Sequence, residues 1–182
     1  MKNRKKAFIA LISILGILFS IALYNGVFTT IRAKEKEEGG YHLVGLEFKG
    51  PYSSAGKFMK EVNEKLKNTG VSTEKGFGIY YDNPKIVKKE NCRSFIGVVL
   101  DSKDLRKIDE LKSAGFKVDS VAISRSVSAE FPIKNSFSYM LGPWKAYPVL
   151  SKYMNEKNYK TDLTMEVYDT RNREIIFLMQ YH

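Results

Sequence analysis

Residues 48–66 read FKGPYSSAGKFMKEVNEKL, and residues 138–154 read SYMLGPWKAYPVLSKYM. The first stretch closes a strand, because Tyr41 to Lys49 alternates, with Val44, Leu46 and Phe48 on one side. Gly50-Pro51 breaks that strand, and Ser53 or Ser54 is placed to cap a helix. The helix carries Ala55, Phe58, Met59, Val62 and Leu66 on one side, lysines and glutamates on the other, and ends near Gly70. In the second stretch Leu141-Gly142-Pro143-Trp144 leads into a helix through about Asn158, with Tyr147, Leu150, Tyr153 and Met154 on its apolar side. Pro148 is expected in the first turn, where a missing N–H is tolerated.

Outward from these helices, Gly76 to Asp82 (GFGIYYD) and Asn91 to Leu100 read as strands. A short helix follows at Ser102 to Ala114, then one or two strands in Val118 to Phe131. Leu163 to Tyr168 and Glu174 to Tyr181 close the chain. The order strand, helix, strand, strand occurs twice. Gly50-Pro51 recurs as Gly142-Pro143, and Tyr81-Asp82 as Tyr168-Asp169, which points to an internal duplication.

At the other end, Lys2, Arg4, Lys5 and Lys6 precede an uncharged run from Ala7 to Ile31, whose strongly apolar part is AFIALISILGILFSIAL, residues 7–23. Its length suits a membrane-spanning helix. A cleaved signal peptide is the alternative, given the small residues at Ser20-Ile21-Ala22, but apolarity continues past them at Leu23, Val27 and Phe28. Arg32, Lys34 and Lys36 are balanced by Glu35, Glu37 and Glu38, so the basic flank lies before the span and the N-terminus is expected in the cytoplasm, with the domain on the far side. The expected division is 1–31 as basic segment and anchor, 32–40 as a charged flexible linker ending in Gly39-Gly40, and 41–182 as one folded domain.

The 182-residue chain has 43% apolar and 27% charged residues, a composition that folds. Its formal charge of +10 includes +4 from the first six residues, and the remaining basic residues are interleaved with acids, so no nucleic-acid stripe is present. Anionic lipid headgroups are a better partner for the surplus. With two histidines, His42 and His182, and the single Cys92, there is no material for a Ser-His-Asp triad, a Cys-His dyad or a Cys/His zinc site, and neither metal nor cofactor is expected.

The ordered set FKGPYSSAGKFMKEVNEKL, GFGIYYDNP followed by NCRSFIGVVL, SYMLGPWKAYPVLSKYM, and TMEVYD followed by IIFLMQY resembles the GyrI-like small-molecule-binding family over nearly all of Tyr41 to Tyr181. An anchor directly before such a domain, with Cys92-Arg93 after GIYYDNP, is similar to the family's membrane-anchored ER-phagy-receptor subgroup. The resemblance implies an α+β fold: duplicated strand-helix-strand-strand halves forming a curved antiparallel sheet, helices on one face, and a groove at the pseudo-twofold. Neither DNA-binding helices before the domain nor an adaptor-binding tail after His182 is read in the chain, so transcription activation and the receptor role are not expected to carry over.

In the family's multidrug-binding members a groove carboxylate meets cationic aromatic ligands, and the matching position is Glu166 in Met165-Glu166-Val167-Tyr168. The alternation of Leu163, Met165 and Val167 is expected to turn that apolar set toward the helices, leaving Glu166, Thr164 and Tyr168 in the concavity. Tyr80, Tyr81, Trp144 and Tyr168 are the candidate aromatic lining, although Tyr80 and Tyr81 cannot both face the groove from one strand. Tyr147 is read as core. Asp82 and Asp169 are read as strand ends, and Cys92 as a small buried residue. The expected function is binding of an aromatic or cationic small molecule. The alternatives are a hydrolase of strained electrophiles with Glu166 as base, for which no catalytic partner is visible, and a tethered scaffold with a vestigial groove.

Overall fold

In chain order the elements are α1 (Lys2–Tyr24), β1 (Lys34–Glu38), β2 (Tyr41–Lys49), α2 (Ala55–Lys67), β3 (Lys75–Tyr80), β4 (Arg93–Val99), α3 (Ile108–Ser113), β5 (Lys117–Val121), β6 (Ser124–Pro132), α4 (Ser138–Glu156), β7 (Thr161–Asp169) and β8 (Glu174–Tyr181). This is a computed structural model, and it describes residues 2–182. Met1, the first residue of the expected anchor region, lies outside the described residues.

All eight strands form one sheet in the order β1-β6-β8-β7-β3-β4-β2-β5, with every neighbouring pair antiparallel. The duplication is visible in this order: β6-β8-β7 from one half abuts β3-β4-β2 from the other, with each half's helix between its first and second strands. The pseudo-twofold therefore passes between β3 and β7, where Gly78 is the register partner of Glu166.

Register also fixes the faces. Val44, Val98, Gly76, Tyr168, Ile175 and Phe131 are successive partners across six strands and share one face. Val44 and Val98 pack with Val62 and Leu66 of α2 and Leu111 of α3, while Ile175 and Phe131 pack with Leu141, Ala146, Leu150 and Met154 of α4. Thus the helices lie on one side of the sheet. The other side has its own apolar cluster, in which Leu178 of β8 joins Leu43 of β2 and Val121 of β5. Strands so far apart in the order meet only if the sheet curls toward that side. Gln180 adds to the closure, donating to the carbonyls of Glu38 and Ala122, each at 3.0 Å. The tight coil depends on two glycines paired in register: a β-carbon on Gly97 would lie 1.9 Å from the Val44 carbonyl oxygen, and one on Gly45 would lie 2.1 Å from that of Ile96.

Four expectations are corrected. Within the supposed linker, Lys34–Glu38 is strand β1, paired with β6. Its KEKEE sequence has no apolar alternation, and it is held by side chains instead. Lys36 bridges Glu38 and Glu130, Glu35 accepts hydroxyl bonds from Tyr153, Tyr159 and Tyr181, and Ile31 just before it is buried in the α4 core. Second, α4 begins at Ser138, so Gly142-Pro143 lies inside the helix and Pro148 is in its interior. Asn135 Oδ1 accepts from the Phe137 N–H at 2.9 Å and starts the helix early, while the buried side of α4 compensates for the missing N–H groups. Third, a 3-10 turn at Tyr52–Ser54 leads into α2 with no serine side-chain cap, and Ser102–Lys107 is likewise 3-10, leaving α3 short. Fourth, Met165 and Val167 face the inside of the curl, so Glu166 and Tyr168 face the helices. A curled sheet needs an apolar filling of its own, and the odd-numbered residues of β7 supply it.

Candidate functional site

α2 packs over β2 and β4, and α4 over β6 and β8, which leaves the central strands β3 and β7 beneath the gap between the helices. β3 presents Gly76 and Gly78 to this gap, and β7 presents Glu166 and Tyr168. The glycines make room. A β-carbon on Gly78 would lie 2.9 Å from the Tyr80 hydroxyl, and one on Gly76 would sit in van der Waals contact with Met59 Sδ of α2 and with the Tyr168 ring.

Glu166 is only 3% exposed. Tyr147, reaching down from α4, donates its hydroxyl to Glu166 Oε1 at 2.6 Å, and Tyr168 donates to Oε2. The Tyr80 and Tyr168 hydroxyl oxygens are 3.2 Å apart, and with the Tyr168 proton engaged by Glu166, Tyr80 is the donor. The result is a chain of hydroxyls converging on one carboxylate from both halves of the duplication. Among the described residues, no basic side chain pairs with Glu166. Burial pushes its carboxyl above the usual range, and the two tyrosine hydroxyls oppose that shift. Burial first, and the Glu166 charge second, hold the hydroxyls of Tyr80, Tyr147 and Tyr168 above the usual phenol range, so they remain donors.

Further aromatics extend the cluster. The Tyr52 ring meets Tyr80 edge-on at 4.8 Å between centroids, and Tyr139 lies 5.8 Å from Tyr168. Tyr52 is fixed by its hydroxyl, which accepts from the Asp82 N–H at 3.0 Å and lies 2.9 Å from the Asp82 carbonyl oxygen. Asp82 itself is clamped to Arg93 by bonds of 2.9 and 3.0 Å, and Arg93 holds its carboxyl below the usual range. Ser94, the register partner of Tyr80 on the same face, is fully buried, and its hydroxyl has no hydrogen-bond partner among the described residues.

Of the residues expected from sequence, Glu166, Tyr168 and Tyr80 are thus brought together. Tyr81 and Trp144 are not. Tyr81 is on the inner face of the sheet, 43% exposed, with the Arg93 guanidinium 6.0 Å from its ring centroid. The matched dipeptides Tyr81-Asp82 and Tyr168-Asp169 misplace the repeat by one residue, and one residue changes the face. Trp144 is 71% exposed because Leu141, Gly142 and Ala146 take the buried side of α4 and turn it outward. Tyr147 packs against the α4 core and the Phe177 ring, as its reading as core expects, and its hydroxyl in addition reaches Glu166. Tyr52 and Tyr139 gave no sequence signal, since each lies in a turn or the first turn of a helix. Among the described residues no group of three or more His, Cys, Asp or Glu side chains could hold a metal ion.

A curled antiparallel sheet of two related halves, with one helix over each and a buried cluster of tyrosines around Glu166 between them, defines a duplicated α+β domain. The family model for the GyrI-like small molecule binding domain matches residues 31–176, and the chain belongs to that family. It is 31% identical over 127 residues to Testis-expressed protein 264 of Homo sapiens and 30% identical to the Mus musculus homolog, in each case over 65% of this chain and 38% of the relative. The chain therefore spans well under half the length of these curated relatives. Among solved structures, the C-terminal domain of EcmrR superposes with a TM-score of 0.59 at 15% identity, covering 85% of this chain and 99% of that one. An uncharacterized conserved protein from Listeria innocua gives a TM-score of 0.51 at 9% identity, covering 83% of this chain and 92% of that one. At such identities the structural likeness establishes the fold. It agrees with α+β halves around a curled sheet. The chain also has, among the described residues, one helix long and apolar enough to cross a membrane, Arg4–Tyr24.

Proposed function

We propose that the domain binds a small cationic or hydrogen-bond-donating aromatic molecule in the gap between α2 and α4, with Glu166 as the counter-charge. The observation that carries this reading is the burial of Glu166 with tyrosine hydroxyls as its only close polar partners among the described residues. A desolvated carboxylate without a cation is costly, and a ligand cation lowers that cost while the tyrosine faces attract it further. Ligand entry would part Tyr147 or Tyr139 from the sheet and set the ligand's positive charge against Glu166 in place of a neutral hydroxyl.

Binding is favoured over hydrolysis by the same geometry. As a general base Glu166 would have to accept from a water, whereas its close polar partners among the described residues are tyrosine hydroxyls that stay protonated and donate to it. The scaffold reading with a vestigial groove is not favoured either, because it leaves the buried charge without a use.

The placement proposed for the chain is single-pass, with the N-terminus cytoplasmic. It is supported by the basic cluster at the start of α1, ahead of its apolar run, and by charge neutralisation after the helix, where Lys36 is paired with Glu38 and Glu130. The division proposed is anchor, then a domain that includes β1, since Ile31 and Lys34–Glu38 are built into it.

The test is a binding screen of the full chain in zwitterionic lipid nanodiscs against cationic, neutral and anionic aromatic dyes, followed by polarisation. Cationic dyes should bind, and Glu166→Gln should abolish their advantage. Equal binding of anionic dyes would refute the reading.

A further inference from the structure

Helix α4 has two occupied flanks besides its buried side. On one, Tyr147 reaches Glu166. On the other, the chain leaving α1 is fastened down: Asn135 Nδ2 donates to Asn25 Oδ1 at 2.8 Å, and Lys145 Nζ donates to the Val27 carbonyl. Lys134 lies 6.0 Å from the centroid of the Tyr24 ring, and Val27 packs against the α4 core. The stretch between residues 135 and 145, which contains the first two turns of α4 and about 11 Å of helix, is thus held at both ends against the exit of the apolar helix.

Between those two contacts, α4 turns an apolar stripe to solvent. Phe137, Met140 and Trp144 follow the i, i+3, i+7 spacing of one helix face and are 41%, 63% and 71% exposed. Outside residues 1–31, the large exposed hydrophobics among the described residues are Tyr81, Ile86, Ile123, Phe137, Tyr139, Met140 and Trp144, and four of these seven fall in residues 137–144. Scattered exposed apolar residues need no explanation, but a concentrated patch marks an interaction surface.

We propose that this face of α4 docks on the lipid bilayer, with Phe137, Met140 and Trp144 in the interfacial layer and Lys134 and Lys145 at headgroup level. The occupant follows from position. The residues that hold the exit of α1 bracket the stripe, so the membrane surface is the apolar partner already present at that level. The residue types agree, because an amphipathic tryptophan with flanking lysines suits the interface between hydrocarbon and water. The proposal rests on α1 being a retained anchor and is independent of the ligand reading. Its consequence for the gap is nonetheless direct: Tyr139, within the same turns of α4, is the ring beside Tyr168, so the Glu166 cluster would open close to the bilayer surface.

Trp144 is the only tryptophan in the chain and reports on this face without mutation. The full chain is reconstituted in nanodiscs of phosphatidylcholine and phosphatidylglycerol, and Trp144 emission is quenched separately by lipids spin-labelled near the headgroup end of the acyl chain and by aqueous iodide. The expected result is several-fold stronger quenching by the lipid label than in a label-free disc, with shielding from iodide. Phe137→Ser combined with Met140→Ser should reduce the lipid quenching while leaving the unfolding midpoint near that of the unaltered chain. Free access of iodide without lipid quenching overturns the proposal. Shielding from both quenchers, as in contact with a second copy or another protein, overturns it equally. A chain that fails to enter discs at all instead removes the anchor reading on which the proposal rests.

Discussion

Tyr147 of α4 donates its hydroxyl to Glu166 of β7 across 2.6 Å, so a helix is tied to the centre of the sheet through a buried carboxylate. A hydrogen bond to a charged group contributes more than one between neutral partners. Tyr147→Phe should therefore destabilise the ligand-free domain by about 1.5–3 kcal/mol at neutral pH. In a double-mutant cycle with Glu166→Gln, urea unfolding should show strong non-additivity. Additive losses would mean that the two side chains do not act as a unit.

Glu166 supplies a pH signature whose sign is fixed by its burial. Its carboxyl titrates higher in the fold than in the open chain, where a glutamate titrates near about 4.3. The fold thus holds the proton more tightly. The associated stability is fully present below the open-chain value and is lost as pH rises through the higher folded value. Glu166→Gln, which cannot ionise, should exceed the unaltered chain in melting temperature at neutral pH, and the gap should close as pH falls below the open-chain value. A gap that widens on acidification would contradict the assignment.

Gly78 is the register partner of Glu166, and its missing side chain makes room for the Tyr80 hydroxyl. Gly78→Ala should displace Tyr80 and weaken a cationic aromatic ligand by about tenfold, or ~1.4 kcal/mol, with a smaller change in unfolding midpoint. Calorimetric titration beside a urea melt separates the two effects.

The structured segment before Tyr41 predicts a truncation result. A chain starting at Tyr41 lacks β1 and Ile31, whereas one starting at Asn25 keeps both. The shorter chain should unfold at clearly lower urea, and Ile31→Ala alone should cost about 2–4 kcal/mol. Equal stability of the two truncations would return residues 32–40 to the status of a linker.

What was legible before the structure, and what was not, follows from what periodicity encodes. Alternation along β2, β3, β4, β7 and β8 marks strands and tells which residues share a face, so Glu166 and Tyr168 could be placed together. It does not tell which face meets the helices when both sides of a curled sheet are apolar, and the assignment of Met165 and Val167 failed for that reason. The repeat was visible, but dipeptide matching selected Tyr81 where the register selects Tyr80. Tyr147 was hidden because a tyrosine on the apolar side of a helix reads as core whether or not its hydroxyl has found a buried acid. β1 was hidden because Lys34–Glu38 has no apolar alternation and is fastened to the domain by Glu130 and by tyrosines more than ninety residues away in sequence.

Membrane placement is checked separately. The full chain should resist alkaline extraction, and a tag before Lys2 should be protected in intact cells while the domain is accessible from the far side of the membrane. A mature N-terminus at Leu23 would show a cleaved signal peptide instead.

The most direct test of the central claim is titration of the nanodisc-held full chain and of Glu166→Gln with a cationic aromatic ligand and its neutral isostere. The charge account predicts that Glu166→Gln weakens the cation by about 1–3 kcal/mol, about fivefold to more than a hundredfold, and leaves the neutral isostere within about twofold. Equal weakening of both ligands, or none of either, would contradict the claim that Glu166 is the counter-charge of a ligand site.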